Sequence, residues 1–303
     1  MGISIPLLPY HQSMLCFSIL TVGSWLSSAS VLMAEGGLQV GAAAVNLQCD
    51  ETMVISGSIE PRYVKDQEGE LRSVAIVLRL PDQPPVGIVA CDVLCIPKSI
   101  IDPALAEVEA KTGIKPGNVL VNATHTHHAP SAAPIHGSGA SPEFCEILKQ
   151  AIAQSLIEAY QNLSEEDCDF YFHLGEEKTV GGNSRLKLPD GKITWINPLK
   201  EAGENVVPTG PFDPQLPVLD FRTATGESRA LIYNHSTHTI GTRSGNVRSP
   251  SFYGLAAQEL ETELGGTTVA FLEGASGSTH NIAQVPVAEA VERMKQVIRS
   301  ARE

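Results

Sequence analysis

Two histidines that follow an apolar run offer the clearest chemistry in the sequence. His125 and His127 come directly after the apolar run 118–123, and His128 follows them. In an extended chain, side chains two residues apart point to the same side, so the imidazoles of His125 and His127 are predicted to converge. A neutral imidazole is a good zinc ligand and also an acid or base near neutral pH. The spacing therefore indicates a metal or acid–base site at the end of a strand.

A second histidine pair stands in the same local context. His235 and His238 follow the apolar run 230–233. If the two strands are neighbours in a sheet, both histidine groups lie at one sheet edge, where open α/β sheets place their sites. We expect a metal or catalytic role for His235, as for the first pair, whereas His128 and His238 are also consistent with supporting positions. The remaining histidines have no partner nearby in the sequence and are expected to be structural or exposed; they are His11, His136, His173 and His280.

A turn rich in small residues follows a third apolar strand, 267–271. It contains Ser276, and small side chains at a strand end allow the backbone to approach a ligand closely. The segment is not a Gly-x-Ser-x-Gly nucleophile elbow, because Ser278 stands at the last position of that motif. A binding turn and a simple tight turn both remain open.

The elements that must position these residues alternate between strands and helices. Apolar patterning predicts helices over 98–112, 142–161, 253–264 and 288–301. Strands are predicted over 38–45, 53–59, 73–80, 86–94, 118–123, 169–174, 218–222, 230–234 and 267–272. A long stretch rich in Gly, Pro and Asn, 181–216, is expected to be functional or to form a lid. This order predicts an α/β fold with mixed sheets flanked by helices and the site at the strand ends.

Composition restricts the class of partner. The chain has 303 residues, 43% of them hydrophobic, and a formal net charge of −13. This is globular composition, and the acidic balance argues against nucleic acid and against long-range attraction to anionic membranes. Of the six cysteines, Cys91 and Cys95 lie in an apolar run and are expected to be buried thiols rather than zinc ligands. The sequence carries no signal for the oligomeric state.

The first 34 residues form a leader without any Asp, Glu, Lys or Arg. Its mostly apolar run ends in small residues, which predicts a signal peptide cut near Ala29 or Ala34 and a secreted or periplasmic protein. The run is also just long enough for a weak membrane anchor. We therefore divide the chain into a leader, 1–34, and a catalytic domain, 35–303.

Several segments, in order, resemble the neutral/alkaline (non-lysosomal) ceramidase family, N-terminal catalytic domain. The run 119–127 is similar to the family's Thr-His-Thr-His motif, which is the most specific of the matches. The resemblance covers about residues 38–285. The other matching pieces lie at 41–45, 89–92, 183–185, 210–214, around His235, and at 274–277.

The resemblance implies a zinc amidohydrolase that splits the amide of ceramide into sphingosine and a fatty acid. His125 and His235 would then be zinc ligands, and His127 would orient or protonate groups near the metal. Arg185 would contact the substrate or the developing negative charge, and Ser276 would lie in the same pocket. The partner implied is a small-molecule or lipid amide, with at most peripheral membrane contact.

One departure from the family keeps other functions open. The family completes its zinc shell with a downstream Glu and Tyr, and no segment before Glu303 matches either, so the domain is expected to lack the family's usual C-terminal part. Asp92 or Glu273 would be local substitute ligands. Two alternatives follow: a non-catalytic homologue that binds a lipid or glycan, and a metal-free serine hydrolase using Ser276 and a nearby histidine.

Overall fold

The computed structural model of the chain describes residues 37–195 and 206–303, so the predicted leader lies outside the described residues. The described residues form two four-stranded sheets and four α-helices, and the predicted α/β class is confirmed. The first sheet contains, in spatial order, β1 (Gln39–Asn46), β2 (Arg72–Arg79), β3 (Val86–Cys91) and β4 (Val119–Ala123). The second contains, in spatial order, β12 (Thr268–Glu273), β11 (Ser228–His235), β10 (Gln215–Thr223) and β5 (Cys168–Glu176).

Both sheets mix parallel and antiparallel pairing. In each, one pair is parallel, β3 with β4 and β11 with β12, and the other pairs are antiparallel. The helix α1 (Lys98–Thr112) connects the first parallel pair, and α3 (Ser251–Glu263) connects the second. Parallel neighbours need such crossovers, and they bring the carboxyl ends of both strands to the same edge.

The two sheets face each other between two layers of helices. The helices α1 and α2 (Pro142–Gln161) cover the outer face of the first sheet, and α3 and α4 (Val287–Ser300) cover that of the second. Neighbouring residues of β2 show the alternation: Ala75 packs under the helices, whereas Ile76 packs between the sheets. Successive side chains along the strand thus point into different cores, because they lie on opposite faces of the sheet.

The longest helix has the start that its sequence predicts. Ser141 is the N-cap of α2, and its hydroxyl accepts a hydrogen bond from the Phe144 N–H at 3.4 Å. Pro142 occupies the first turn, where its missing N–H is not needed. The apolar residues of α2 face the first sheet, which explains why their four-residue spacing was enough to predict this helix.

Two parts of the sequence fold differently from the simplest reading. Residues 53–59 do not form the predicted strand: only Ile55 makes isolated bridges, because Gly57 has a φ of 83° that ends any extended run. The stretch 181–216 contributes, within its described residues, four short strands in two small sheets. They are β6 (Gly182–Asn183), which pairs with β13 (Thr279–His280), and β7 (Arg185–Lys187), which pairs with β8 (Ile193–Trp195) and β9 (Val207–Pro208).

The strands that precede the two histidine groups belong to different sheets. Strand β4 is at the edge of the first sheet and β11 is inside the second, so the two strands are not neighbours in one sheet. The groups still meet, because β12 packs against β4. The Asn122 side chain bridges the two sheets: its Nδ2 donates to the Glu273 carbonyl at 3.3 Å and its Oδ1 accepts from the Glu273 N–H at 3.0 Å.

None of the helices in the described parts of the chain combines the length and the apolar character that crossing a bilayer requires.

Candidate metal centre

Three histidines converge where the carboxyl ends of β4 and β11 meet. His125, His127 and His238 each offer one ring nitrogen, and these three atoms lie within 4.8 Å of one another. The ring centroid of His125 is 5.2 Å from that of His127 and 4.4 Å from that of His238. Among the described residues this is the one group of three or more His, Cys, Asp or Glu side chains with that geometry.

Backbone carbonyls fix the orientation of all three rings. The Nδ1 atom of His125 lies 2.8 Å from the Leu94 carbonyl, that of His127 3.3 Å from the Gly57 carbonyl, and that of His238 3.1 Å from the Ser276 carbonyl. A carbonyl oxygen only accepts, so each Nδ1 carries the proton and donates. Each neutral ring therefore keeps the lone pair on Nε2, which is the arrangement typical of metal-ligating histidines.

The closest pair of ring nitrogens has a geometry that suits a shared metal ion. The Nε2 atoms of His127 and His238 are 2.8 Å apart. Because both Nδ1 atoms are protonated, the two Nε2 lone pairs face each other, and a metal ion next to them would relieve their repulsion. Burial, with the neighbouring His238 and His125, lowers the pKa of His127 to about 3, and burial lowers that of His238 to about 4. At neutral pH these rings are neutral, so the donor set fits a metal ion better than a proton.

Local backbone strain contributes to this placement. His125 has a φ of 63°, a left-handed conformation that is uncommon outside glycine. Its N–H donates to the Val93 carbonyl at 3.0 Å, which holds the turn. The chain is therefore not extended from His125 onward, and the convergence with His127 comes from this turn rather than from strand alternation. Gly57 permits the approach of His127, because a Cβ at Gly57 would collide with that ring.

His235 lies outside this cluster, although the sequence grouped it with His125 as a ligand. It is fully buried, and its Nε2 donates to the Glu177 carbonyl at 3.0 Å. Its Nδ1 is 2.5 Å from the Tyr253 hydroxyl, which also accepts from the Thr237 N–H at 3.1 Å. Tyr253 thus donates to Nδ1, and both nitrogens of the neutral His235 ring are used within the core. The structure brings His238 to His125 in its place.

Arg185 and His280 lie beside the cluster. The His280 ring stacks on His238 with centroids 4.2 Å apart, and the Arg185 guanidinium carbon lies 4.0 Å from the centroid of the Trp195 ring. Ser184 Oγ donates to the Ser278 carbonyl, so it accepts from His280 Nδ1 at 3.0 Å and leaves the Nε2 lone pair of His280 open. Burial, together with the charges of His238 and Arg185, lowers the pKa of His280 to about 4. The sequence did not single out His280; its position just after a third strand end was the available signal.

Ser276 contributes to the site chiefly through its backbone. It is buried, and its carbonyl accepts from His238, whereas its hydroxyl interacts with the Glu273 carboxyl. His125, Ser276 and Glu273 line one cavity of about 420 Å³. The structure thus places Ser276 in one cavity with His125, while its predicted role in the site stays a prediction.

The remaining candidates are engaged elsewhere. The buried Asp92 carboxylate accepts from the Arg72 N–H at 2.9 Å and from the Thr124 hydroxyl at 3.1 Å, so it belongs to the core between the sheets. Burial raises the pKa of Asp92 to about 6. His128 Nε2 accepts from the Gly241 N–H at 3.0 Å, and this ring lies outside the three-histidine group.

Comparisons with known proteins place the fold. No protein-family model matches the chain, and no curated protein matches it. Two solved structures match with a TM-score of 0.70: one described as ceramidase complexed with C2, at 20% identity, and the neutral ceramidase from Pseudomonas aeruginosa, at 19% identity. Each match covers 88% of this chain, and the chain spans less than half of either structure, 44% and 45%. The fold is therefore neutral ceramidase-like.

Proposed function

We propose that this chain is a zinc-dependent amidohydrolase of ceramidase-like activity, with His125, His127 and His238 as its zinc ligands. The observation that carries the proposal is the shared orientation of the three rings, each with Nδ1 donating to a carbonyl and Nε2 left unprotonated. Three protein ligands with an open position are typical of catalytic zinc, whereas structural sites use four. The neutral ceramidase-like fold supports the choice of reaction.

Zinc bound by these three imidazoles would polarise the amide carbonyl and supply hydroxide near neutral pH. This ligand set differs from the sequence prediction in two ways. His238 takes the role first given to His235, and His127 becomes a ligand rather than a residue that only orients or protonates. The set needs no carboxylate, so Asp92 and Glu273 are not required as substitute ligands.

Two side chains beside the cluster would do the remaining chemistry. Arg185 is held by Trp195 and Ser184, with guanidinium N–H groups available to stabilise the charge that develops on an amide oxygen. His280, neutral at pH 7 and fixed through Nδ1, can accept a proton on Nε2 and return it to the leaving amine.

The surroundings of the site favour a lipid amide as substrate. The small sheet that carries Arg185 also presents three large apolar side chains to solvent, 54–65% exposed: Ile193, Trp195 and Val207. Exposed apolar side chains clustered beside a site are typical of surfaces that meet an apolar ligand. We therefore propose a small-molecule or lipid N-acyl amide such as ceramide, with at most peripheral membrane contact.

Secretion or periplasmic export belongs to the same proposal. It rests on the leader pattern of residues 1–34. Cell fractionation followed by amino-terminal sequencing would test it: an exported protein that starts near Ser30 or Glu35 supports export with cleavage, and a protein found only in the cytoplasm with Met1 retained contradicts it.

The decisive experiment is hydrolysis of a short-chain ceramide, followed by the release of fatty acid. We expect activity that a chelator removes and that zinc restores. His238→Ala should abolish it, and His173→Ala, an exposed histidine on β5, is the matched control that should retain it. Metal binding without turnover would instead favour the non-catalytic homologue. Hydrolysis that survives chelation but not Ser276→Ala would favour the serine hydrolase.

A further inference from the structure

The second sheet ends in a long strand with an open edge. Strand β5 is the last strand of that sheet, and all nine of its residues pair with β10 on one side. No strand of the described parts of the chain pairs with its other side. The edge strand β1 is different, because the chain that follows α2 covers it: the Ser164 N–H donates to the Val40 carbonyl at 3.1 Å.

Two hydrogen bonds show which backbone groups of β5 point outward. The Cys168 N–H donates to the Leu38 carbonyl at 2.7 Å, away from β10, whereas the Glu177 N–H donates to the Pro214 carbonyl, just before β10, at 2.8 Å. The N–H and C=O groups of a strand alternate between its two sides. Three residues therefore direct both groups outward, without a backbone partner among the described residues: Phe170, Phe172 and Leu174.

The open edge is also apolar and unprotected. The side chains of Phe172 and Leu174 are 53% and 49% exposed, on the face that Phe170 extends into the core between the sheets. Strand β5 contains no proline, lysine or arginine, and its register with β10 is continuous. Folded proteins use such residues and bulges to keep edge strands from pairing, so their absence marks β5 as a template for a further strand.

Acidic side chains surround both ends of this edge. Four of them, at the start of β5, form no ion pair with any described residue; they are Glu165, Glu166, Asp167 and Asp169. At the other end Glu176 has one partner, Lys178, at 3.3 Å. A second copy added antiparallel would bring the acidic start of one strand against Glu176 of the other, and a parallel copy would bring the two acidic starts together. Like charges placed opposite each other destabilise a strand pair, so the charges favour a basic partner over a second copy.

We propose that the open edge of β5 binds an extended protein segment, apolar in its centre and carrying Lys or Arg at both ends, as a fifth strand of the second sheet. The outward backbone groups would supply the hydrogen bonds, Phe172 and Leu174 the apolar contact, and the acidic ends the selection for basic flanks. Two strands, β10 and β11, separate β5 from β12, so the inference does not depend on the proposed hydrolysis.

The test uses two labelled peptides and three full-length proteins. The probes are Lys-Lys-Val-Thr-Val-Thr-Val-Lys-Lys and the same peptide with Glu in place of each Lys, and binding is followed by fluorescence anisotropy. At low salt the wild type should bind the Lys peptide about tenfold more tightly than the Glu peptide, and added salt should reduce the difference.

Two substitutions at one position separate the backbone from the side chain. Phe172→Pro removes an outward N–H but no hydrogen bond to β10, so it should abolish binding of the Lys peptide. Phe172→Thr keeps this N–H and should retain binding to within about tenfold. Circular dichroism shows whether both variants are folded.

Hydrogen exchange in the wild type gives a second readout that needs no variant. In the free chain the amides of Phe172 and Leu174 should exchange fast, whereas those of Tyr171 and His173, which face β10, should be protected. The Lys peptide should slow exchange of the first pair by about tenfold and leave the second pair unchanged.

The proposal is overturned if the Lys peptide does not bind, if both peptides bind equally, or if a folded Phe172→Pro binds as the wild type does. Slow exchange of the Phe172 and Leu174 amides in the free monomer would also overturn it, because another part of the chain would then occupy the edge. A concentration-dependent dimer that Phe172→Pro abolishes would instead make a second copy the occupant and overturn the choice of a basic partner.

Discussion

His235 is the last residue of β11 and His238 follows three residues later, yet the two side chains have opposite kinds of environment. His238 Nδ1 donates to a carbonyl, its unprotonated Nε2 lies 2.8 Å from that of His127, and its ring faces two other imidazoles. His235 is fully buried, and Tyr253 and Glu177 occupy both of its nitrogens. The comparison shows that the partners of the ring nitrogens, rather than residue type or position after a strand, decide which histidine can bind a metal.

The largest effect on activity should come from replacing the three clustered histidines. We expect His125→Ala, His127→Ala and His238→Ala each to reduce amide hydrolysis by about 10³-fold, because each removes one of the three ligands that we propose for zinc. The measurement is kcat/KM for a short-chain ceramide, with His173→Ala as the control. Activity within a few fold of wild type in His238→Ala would remove it from the ligand set.

Substitution of the buried His235 should lower the stability of the protein rather than its metal content. His235→Ala leaves the Tyr253 hydroxyl and the Glu177 carbonyl without their partner and opens a cavity. We expect the free energy of unfolding to fall by about 2–4 kcal/mol. Urea denaturation followed by circular dichroism measures this change, and His238→Ala in the chelator-treated state should lose much less. An equal decrease in the free energy of unfolding in the two variants would contradict the assignment of His235 to the core and of His238 to the metal site.

Arg185 tests the chemistry next to the cluster. Arg185→Leu removes the guanidinium that we assign to the developing oxyanion, so kcat/KM should fall about tenfold to a hundredfold while zinc content stays unchanged. Arg185→Lys keeps the charge but not the planar donor geometry and should recover part of the loss. A variant that hydrolyses normally but binds less zinc would point to a structural role.

Acid should destabilise the metal-free cluster. The pKa values of His127 and His238 are lowered in the folded chain, to about 3 and about 4, while an unfolded histidine titrates near 6.5. The unfolded chain therefore takes up protons first, and stability that is present above pH 6.5 is lost as the pH falls towards 4. The melting temperature of the chelator-treated protein should fall over this range, and His127→Phe should flatten the dependence. A melting temperature that does not change over this range would contradict the neutral cluster.

The smallest effect should come from Ser276. Its carbonyl orients His238 and remains present in Ser276→Ala, so kcat/KM should change by about threefold or less, as expected for one modest hydrogen bond. Loss of activity by orders of magnitude, with zinc retained, would revive the serine hydrolase.

Local patterns predicted those parts of the fold that depend on local interactions. The helix α2 follows from its cap and its four-residue spacing, and the strand β4 follows from its apolar run. The pairing of His125 with His127 was predicted from strand alternation, but in the structure it comes from the turn at His125. The failed strand at 53–59 depends on Gly57, whose left-handed φ serves the distant His127. Apolar patterning carries no information about such a long-range contact.

Local sequence likewise could not predict which of His235 and His238 joins the three-histidine cluster. It is made by Tyr253 in α3, by Glu177 after β5 and by the Ser276 carbonyl after β12, all distant in the chain. Only the packing of the second sheet brings these groups to the loop. His280 was missed for the same reason, since its contact with His238 depends on the pairing of β13 with β6.

The zinc content of three proteins tests the central claim most directly. Wild type, His238→Ala and His235→Gln are purified, shown to be folded by circular dichroism, and analysed for metal per chain. The account predicts one zinc in the wild type and in His235→Gln, and none in His238→Ala. Zinc retained by His238→Ala but lost from His235→Gln would contradict it and return His235 to the metal site.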